Sequence, residues 1–173
     1  MKLIGKLMVT GVVILMIAGP LQAAGTLEQA AIDALGSALA DEHHAEAFYE
    51  AVLKKFPDAR PFVNIVNAER THAAEIASVM RSYGIAPAGN KLIGTAAIMA
   101  AVPATLEEAC AIGVKAEIDN RELYDRKLIP AVGGHADIVA LFRQLRDASQ
   151  DNHLPAFQRC AGNGSGGRRG PKL

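Results

Sequence analysis

Glu69 and His72 stand three residues apart in the run Asn67-Ala68-Glu69-Arg70-Thr71-His72. On a helix that spacing puts both side chains on one face, a turn apart. The face is otherwise apolar: steps of three and four give Phe62, Ile65, Glu69, His72, Ile76, Val79 and Tyr83. A seam of that kind packs inside a bundle. Burying such a pair without partners costs several kcal/mol, about 2–7 per unpaired polar group, so something must compensate. Two further seams carry a carboxylate near their middle. One runs Ala31, Leu35, Ala38, Glu42, Ala45, Tyr49, Val52, Phe56, and the other Leu106, Cys110, Gly113, Glu117, Asn120, Tyr124, Leu128. A lone Glu-x-x-His is commonplace on solvated helix faces. Three seam carboxylates converging with an imidazole have the composition of a carboxylate-bridged metal site, suited to iron or manganese, one or two ions. A divalent cation would keep the carboxylates ionised and accept a neutral imidazole.

The elements that must position these groups read as helices. The first spans residues 26–55, with Thr26 as N-cap and Gln29 three residues on. A tight connection around Pro57 and Pro61 leads to a second helix over residues 61–83, closed by Gly84. Residues 85–103 form the longest break. A third helix starts after Thr105, where Glu108 completes a capping box. Pro130 and Gly133-Gly134 make the next turn, and a fourth helix over residues 135–159 turns Ile138, Leu141, Phe142 and Leu145 inward. No strand pattern competes. The expected fold is all-α: a four-helix bundle whose long connection between the second and third helices crosses its length, as in ferritin-like bundles.

The fourth helix departs from the pattern. A two-ion bundle site wants a second Glu-x-x-His, and here the match is Gln150-Asp151-Asn152-His153. At 100° per residue Gln150 points about 120° from the apolar stripe and His153 about 60°, while Ser149 and Asn152 point inward. Two readings are open. Pro155 removes a helical hydrogen bond and could rotate the preceding turn to bring His153, and with it Gln150, inside. Alternatively Ser149 and Asn152 bond across the core and the site holds one ion or none.

Around these groups, Tyr49, Asn120 and Tyr124 lie on the seams as hydrogen-bond partners of the site or as polar groups that set helix register. Glu46 is an edge group, and His43 and His44 read as solvated. Asp119, Arg121, Glu122, Asp125 and Arg126 form a charged outer face. The two cysteines, Cys110 and Cys160, are either one bridge or two buried thiols. Counting residues from the turn between the third and fourth helices sets them at similar heights, which favours a bridge. Closing that loop would contribute up to about 3–4 kcal/mol.

The ends differ from the middle. Residues 1–23 have a basic start, an apolar run from Leu7 to Gly19 and small residues at Ala23-Ala24, the layout of a secretory signal peptide. The run is short for a permanent membrane span. The expected location is periplasmic or secreted, with no stable membrane anchor after cleavage. Residues 161–173 are rich in glycine and basic, a composition expected to be disordered. Between these ends 13 basic residues face 18 acidic ones, a balance of −5 that argues against nucleic-acid binding. Metal ions are the expected partners, and a homodimer is compatible with the chain.

Several separated segments together resemble one family. Glu42 to Tyr49, Arg60-Pro61-Phe62-Val63-Asn64-Ile65, Ala68-Glu69-Arg70-Thr71-His72, Ala116-Glu117-Ile118-Asp119-Asn120 and Asn152-His153-Leu154-Pro155-Ala156-Phe157 are similar to the DUF2202 proteins, a bacterial and archaeal family of the ferritin-like superfamily. The resemblance spans residues 26–160. It implies a ferritin-like bundle with a di-iron-type site, the superfamily's ligand pattern mapping onto Glu42, Glu69, His72 and Glu117, breaking at Gln150 and resuming at His153. The break bears on whether a second ion is held. Two functions follow. One is an exported metal protein that, if catalytic, oxidises ferrous iron or reduces oxygen or peroxide. The other is a non-catalytic bundle whose polar core layer fixes register while its surface binds a partner.

Overall fold

The computed structural model describes residues 26–163, all of whose regular structure is helical. The expected signal peptide and residues 164–173 of the expected tail lie outside the described residues. Helix α1 spans Gln29–Lys55 and α2 spans Phe62–Ser82. A short α3, Ala96–Ala101, lies within the long connection. Helix α4, Leu106–Leu123, continues through a π-helical turn, Tyr124–Leu128, into α5, Ile129–Ala131. Helix α6, Ala136–Ala148, continues through a second π turn, Ser149–His153, into α7, Leu154–Asn163. Among the described residues no helix is long and apolar enough to cross a membrane.

Local chemistry sets most of the boundaries. Gly84 takes φ +75°, and Ile85 N–H returns to Met80 O at 2.9 Å, ending α2 as a glycine C-cap does. The capping box at the start of α4 is present: Glu108 N–H donates to Thr105 Oγ1 at 3.2 Å and Thr105 N–H to Glu108 Oε2 at 3.1 Å. At α1 the expected cap is corrected. Glu28, not Thr26, is the N-cap residue, because Gln29 reaches forward to Asp33 at 2.8 Å instead of back. The last helix runs on to Asn163, three residues into the stretch expected to be disordered. Helix α3 was hidden in the mildly apolar run after Leu92; Thr95 caps it and Ile98 packs on Ala47 and Ala51 of α1.

Two apolar clusters fix the topology. Leu35 and Ala38 of α1 share one with Ile76 and Met80 of α2, Tyr124 and Leu128 of the first π turn, and Ile138 and Phe142 of α6. Tyr49 and Val52 share the other with Phe62 and Ile65 of α2, Cys110 of α4 and Phe157 of α7. Helix α1 and the α6–α7 rod therefore run one way, and α2 and the α4–α5 rod the other. The connection from α2 to α4 must travel the length of the molecule. Asn90 pins it by donating to His43 O at 2.9 Å and Glu46 Oε2 at 2.8 Å, and Lys55 Nζ holds its end through Pro103 O at 2.7 Å. His44 is exposed as expected, but His43 is half-buried beside this strap.

Cys110 and Cys160 form a disulfide, with Cα atoms 5.8 Å apart, tying α4 to α7. Near it Gly113 permits a close approach: a Cβ there would stand 2.6 Å from the Phe157 ring. Tyr49, Phe62 and Phe157 pack in tilted and edge-on contacts below the middle of the molecule, with ring centroids 5.1–5.5 Å apart. Tyr124 meets Phe142 edge-on above it at 5.4 Å. Between these two apolar layers lie the polar residues.

Candidate metal centre

Five of the six expected ligands come together in that middle layer. Glu42, Glu69, His72, Glu117 and His153 are each 3–7% exposed, although all are ionisable. Helix α1 supplies Glu42, α2 supplies Glu69 and His72, α4 supplies Glu117, and the second π turn supplies His153. Two groups result, Glu42–Glu69–His72 and Glu69–Glu117–His153, each with its ligand atoms within 4.8 Å of one another. Glu69 belongs to both. Its Oε2 lies 3.1 Å from His72 Nδ1, which is also 3.2 Å from Glu42 Oε2. Its Oε1 lies 3.2 Å from His153 Nδ1, which is 3.7 Å from Glu117 Oε1. The two imidazoles stack at 5.6 Å with planes 23° apart.

The π turn determines which side chains of the fourth helix face the core. Leu154 N–H bonds to Ser149 O, five residues back, so one extra residue fits into the turn. That rotation brings His153 into the core, keeps Ser149 buried and turns Asn152 out to solvent, against the expectation for Asn152. Gln150 is half-buried, and its Nε2 donates to the main-chain oxygen of Glu117 at 2.7 Å. That bond ties the turn carrying Gln150 to the backbone of the helix that carries Glu117.

Two tyrosines orient the outer carboxylates. Tyr124 Oη donates to Glu42 Oε1 at 2.9 Å, and Tyr49 Oη donates to Glu117 Oε1 at 3.0 Å. Burial, reinforced by the neighbouring carboxylates, pushes both phenols well above their ordinary range, so they remain donors at neutral pH. Asn120 is 9% exposed and donates from Nδ2 to Asp41 Oδ2 at 2.8 Å. Asp41 is the polar neighbour that the seam pattern missed, because it lies one residue off the buried stripe of α1. Glu46 is the edge group expected: it accepts from Arg70 Nε at 3.1 Å and from Asn90.

In the protein alone, protons occupy the places a cation would take. Burial raises the Glu42 carboxyl to about 8, against the lowering bond from His72. Burial also raises Glu69, but the His153 and His72 imidazoles beside it, with Glu42, outweigh burial and hold it at about 2. Burial lowers both imidazoles, yet Glu42 and Glu69 carry His72 up to about 10, and Glu117 and Glu69 carry His153 up to about 9. His153 Nδ1 is buried and close to two carboxylates but makes no hydrogen bond to either. A nitrogen aimed between oxygens without bonding to either suits a shared ion, and the oxygen and imidazole donors suit a transition ion.

No protein-family model, curated protein or solved structure matches this chain.

Proposed function

We propose that this chain is an exported ferritin-like metal protein that holds one or two ions of iron or manganese through Glu42, Glu69, His72, Glu117 and His153. The observation carrying this reading is the division of Glu69, with one oxygen facing Glu42 and His72 and the other facing Glu117 and His153. A bridging carboxylate between two three-ligand sets is how a bundle interior holds a pair of ions. Each set has one imidazole and one outer carboxylate, and each outer carboxylate has its own tyrosine. The antiparallel rods with a full-length connection, together with the resemblance to the DUF2202 proteins, support the ferritin-like assignment. The disulfide supports export, since such bonds persist in oxidising compartments.

Bound iron would supply one-electron chemistry, either oxidation of ferrous ion or reduction of oxygen or peroxide. The protein's own part is to hold five ligands in a layer that lies between aromatic rings at either end, Tyr49, Phe62 and Phe157 on one side and Tyr124 and Phe142 on the other. Gln150 serves as a brace on the Glu117 backbone. A thermal melt tests the proposal: manganese added to chelator-treated protein raises the melting temperature in the natural sequence, and Glu69→Ala removes the effect.

The second reading, a non-catalytic polar layer, draws on the hydrogen bonds that His72 makes to Glu42 and Glu69 without any ion. It predicts a melting temperature indifferent to both chelator and metal.

A further inference from the structure

Two openings reach the buried polar layer from different faces. Between α1 and α4, beside Ala101 at the end of α3, lies a cavity of about 300 Å³. Between α2 and the α6–α7 rod lies a second, of about 400 Å³. They differ in charge. Exposure falls inward along the first: His44 and Asp119 are exposed, Asp41 is half-buried, and Glu42, Glu69 and Glu117 are buried. Lys115, the ion-pair partner of Asp119, is 75% exposed and is not part of the cavity wall. Asn120 Nδ2 donates to Asp41 Oδ2 at 2.8 Å and holds that carboxylate in place. A carboxylate so held keeps further lone pairs for a cation or its waters. The second cavity is walled by Ala68, Ala148, Asn152 and Ala156 and meets the layer at His72 and His153, with no carboxyl group among its described residues.

We propose that the α1–α4 cavity is the path by which a hydrated divalent cation reaches the buried layer, with Asp119 and Asp41 passing it inward to Glu42, Glu69 and Glu117. Neither aspartate belongs to the five-residue ligand set. Stripping water from an ion is costly in a low-dielectric interior, and a wall that offers carboxylates in succession offsets that cost. Negative charge in a narrow cleft also draws cations inward. Six waters at roughly 30 Å³ each fit within about 300 Å³, so the ion enters with its hydration shell. The proposal rests on the metal-binding reading and adds to it a face of entry.

Cobalt(II), whose visible absorption reports ligation, is the probe. It is mixed by stopped flow with the full chain after chelator treatment, and the cobalt bound at equilibrium is measured by elemental analysis. Ile112→Trp, at a position 40% exposed, narrows the α1–α4 mouth and slows loading about tenfold. Asn64→Trp, at an exposed position beside the other cavity, leaves the rate unchanged. Asp119→Asn combined with Asp41→Asn slows loading about tenfold at low salt, and the difference closes at high salt. Each variant binds as much cobalt at equilibrium as the natural sequence. A natural loading rate in Ile112→Trp, slow loading in Asn64→Trp, or an aspartate effect that high salt leaves intact would each overturn the proposal while the bound cobalt upholds the metal reading. A natural sequence that binds no cobalt at equilibrium overturns both.

Discussion

Glu69 is the residue on which the centre turns. Glu69→Gln keeps the shape and removes the charge shared by both groups, so it should abolish binding of either ion. Glu42→Gln leaves the set of Glu69, Glu117 and His153 whole and should cost about half the bound metal. Elemental analysis of the two variants separates these outcomes. Tyr124→Phe deletes the donor to Glu42 Oε1 and should lower the stability of the metal-free protein by about 1–3 kcal/mol, read from urea unfolding. The protonation pattern also sets a pH dependence. His72 at about 10, His153 at about 9 and Glu42 at about 8 each hold a proton more tightly folded than unfolded. The histidine contribution is therefore complete below about 6.5 and lost as pH rises through 9–10, and ionising Glu42 costs stability up to about 8. Chelator-treated protein should unfold at a lower urea concentration at pH 9 than at pH 7. Metal must displace those protons, so its apparent affinity should rise over the same interval; an unfolding midpoint that climbs with pH in chelator would contradict this.

At the scale of elements, the two π turns have a common placement. Tyr124–Leu128 ends two residues before Pro130, and Ser149–His153 ends two residues before Pro155. Proline cannot donate to the carbonyl four residues back and crowds it, and a wider turn just before it relieves both problems. Each turn delivers a residue of the site, Tyr124 to Glu42 and His153 to Glu69. Pro155→Ala restores the missing donor and should let the segment relax toward an ordinary helix. His153 then rotates toward solvent, and about half the metal is lost while the fold persists. Gly113→Ala drives a methyl group into the Phe157 ring and should destabilise the protein by about 1–3 kcal/mol, measured by thermal unfolding. These elements also show what a sequence discloses. The seams of the first three helices were legible because a period of 3.6 makes Glu42, Glu69, His72 and Glu117 conspicuous among apolar residues. Asn152 was misplaced because an ideal 100° step was carried through a turn that does not obey it. Asp41 was missed because it lies one residue off the buried stripe of α1, and its partner, Asn120, is distant in sequence. Helix α3 was missed because six residues are too few for periodicity to register.

Over the whole molecule, the polar layer sits between two apolar clusters and is tied at one end by the Cys110–Cys160 disulfide and along its side by the strap through Asn90. The bridge closes a separation of 50 residues, so Cys110→Ser with Cys160→Ser should lower stability by about 3–4 kcal/mol. The polar layer lies on the far side of Tyr49 and Phe157, and under the proposed function the same double variant should still bind metal. The most direct test of the proposed function is the metal content of protein purified from the cell fraction in which it accumulates. One to two iron or manganese ions per chain, absent from a variant combining Glu69→Ala and His72→Ala, is the predicted result. A folded, metal-free protein whose melting temperature ignores both chelator and added metal would contradict it.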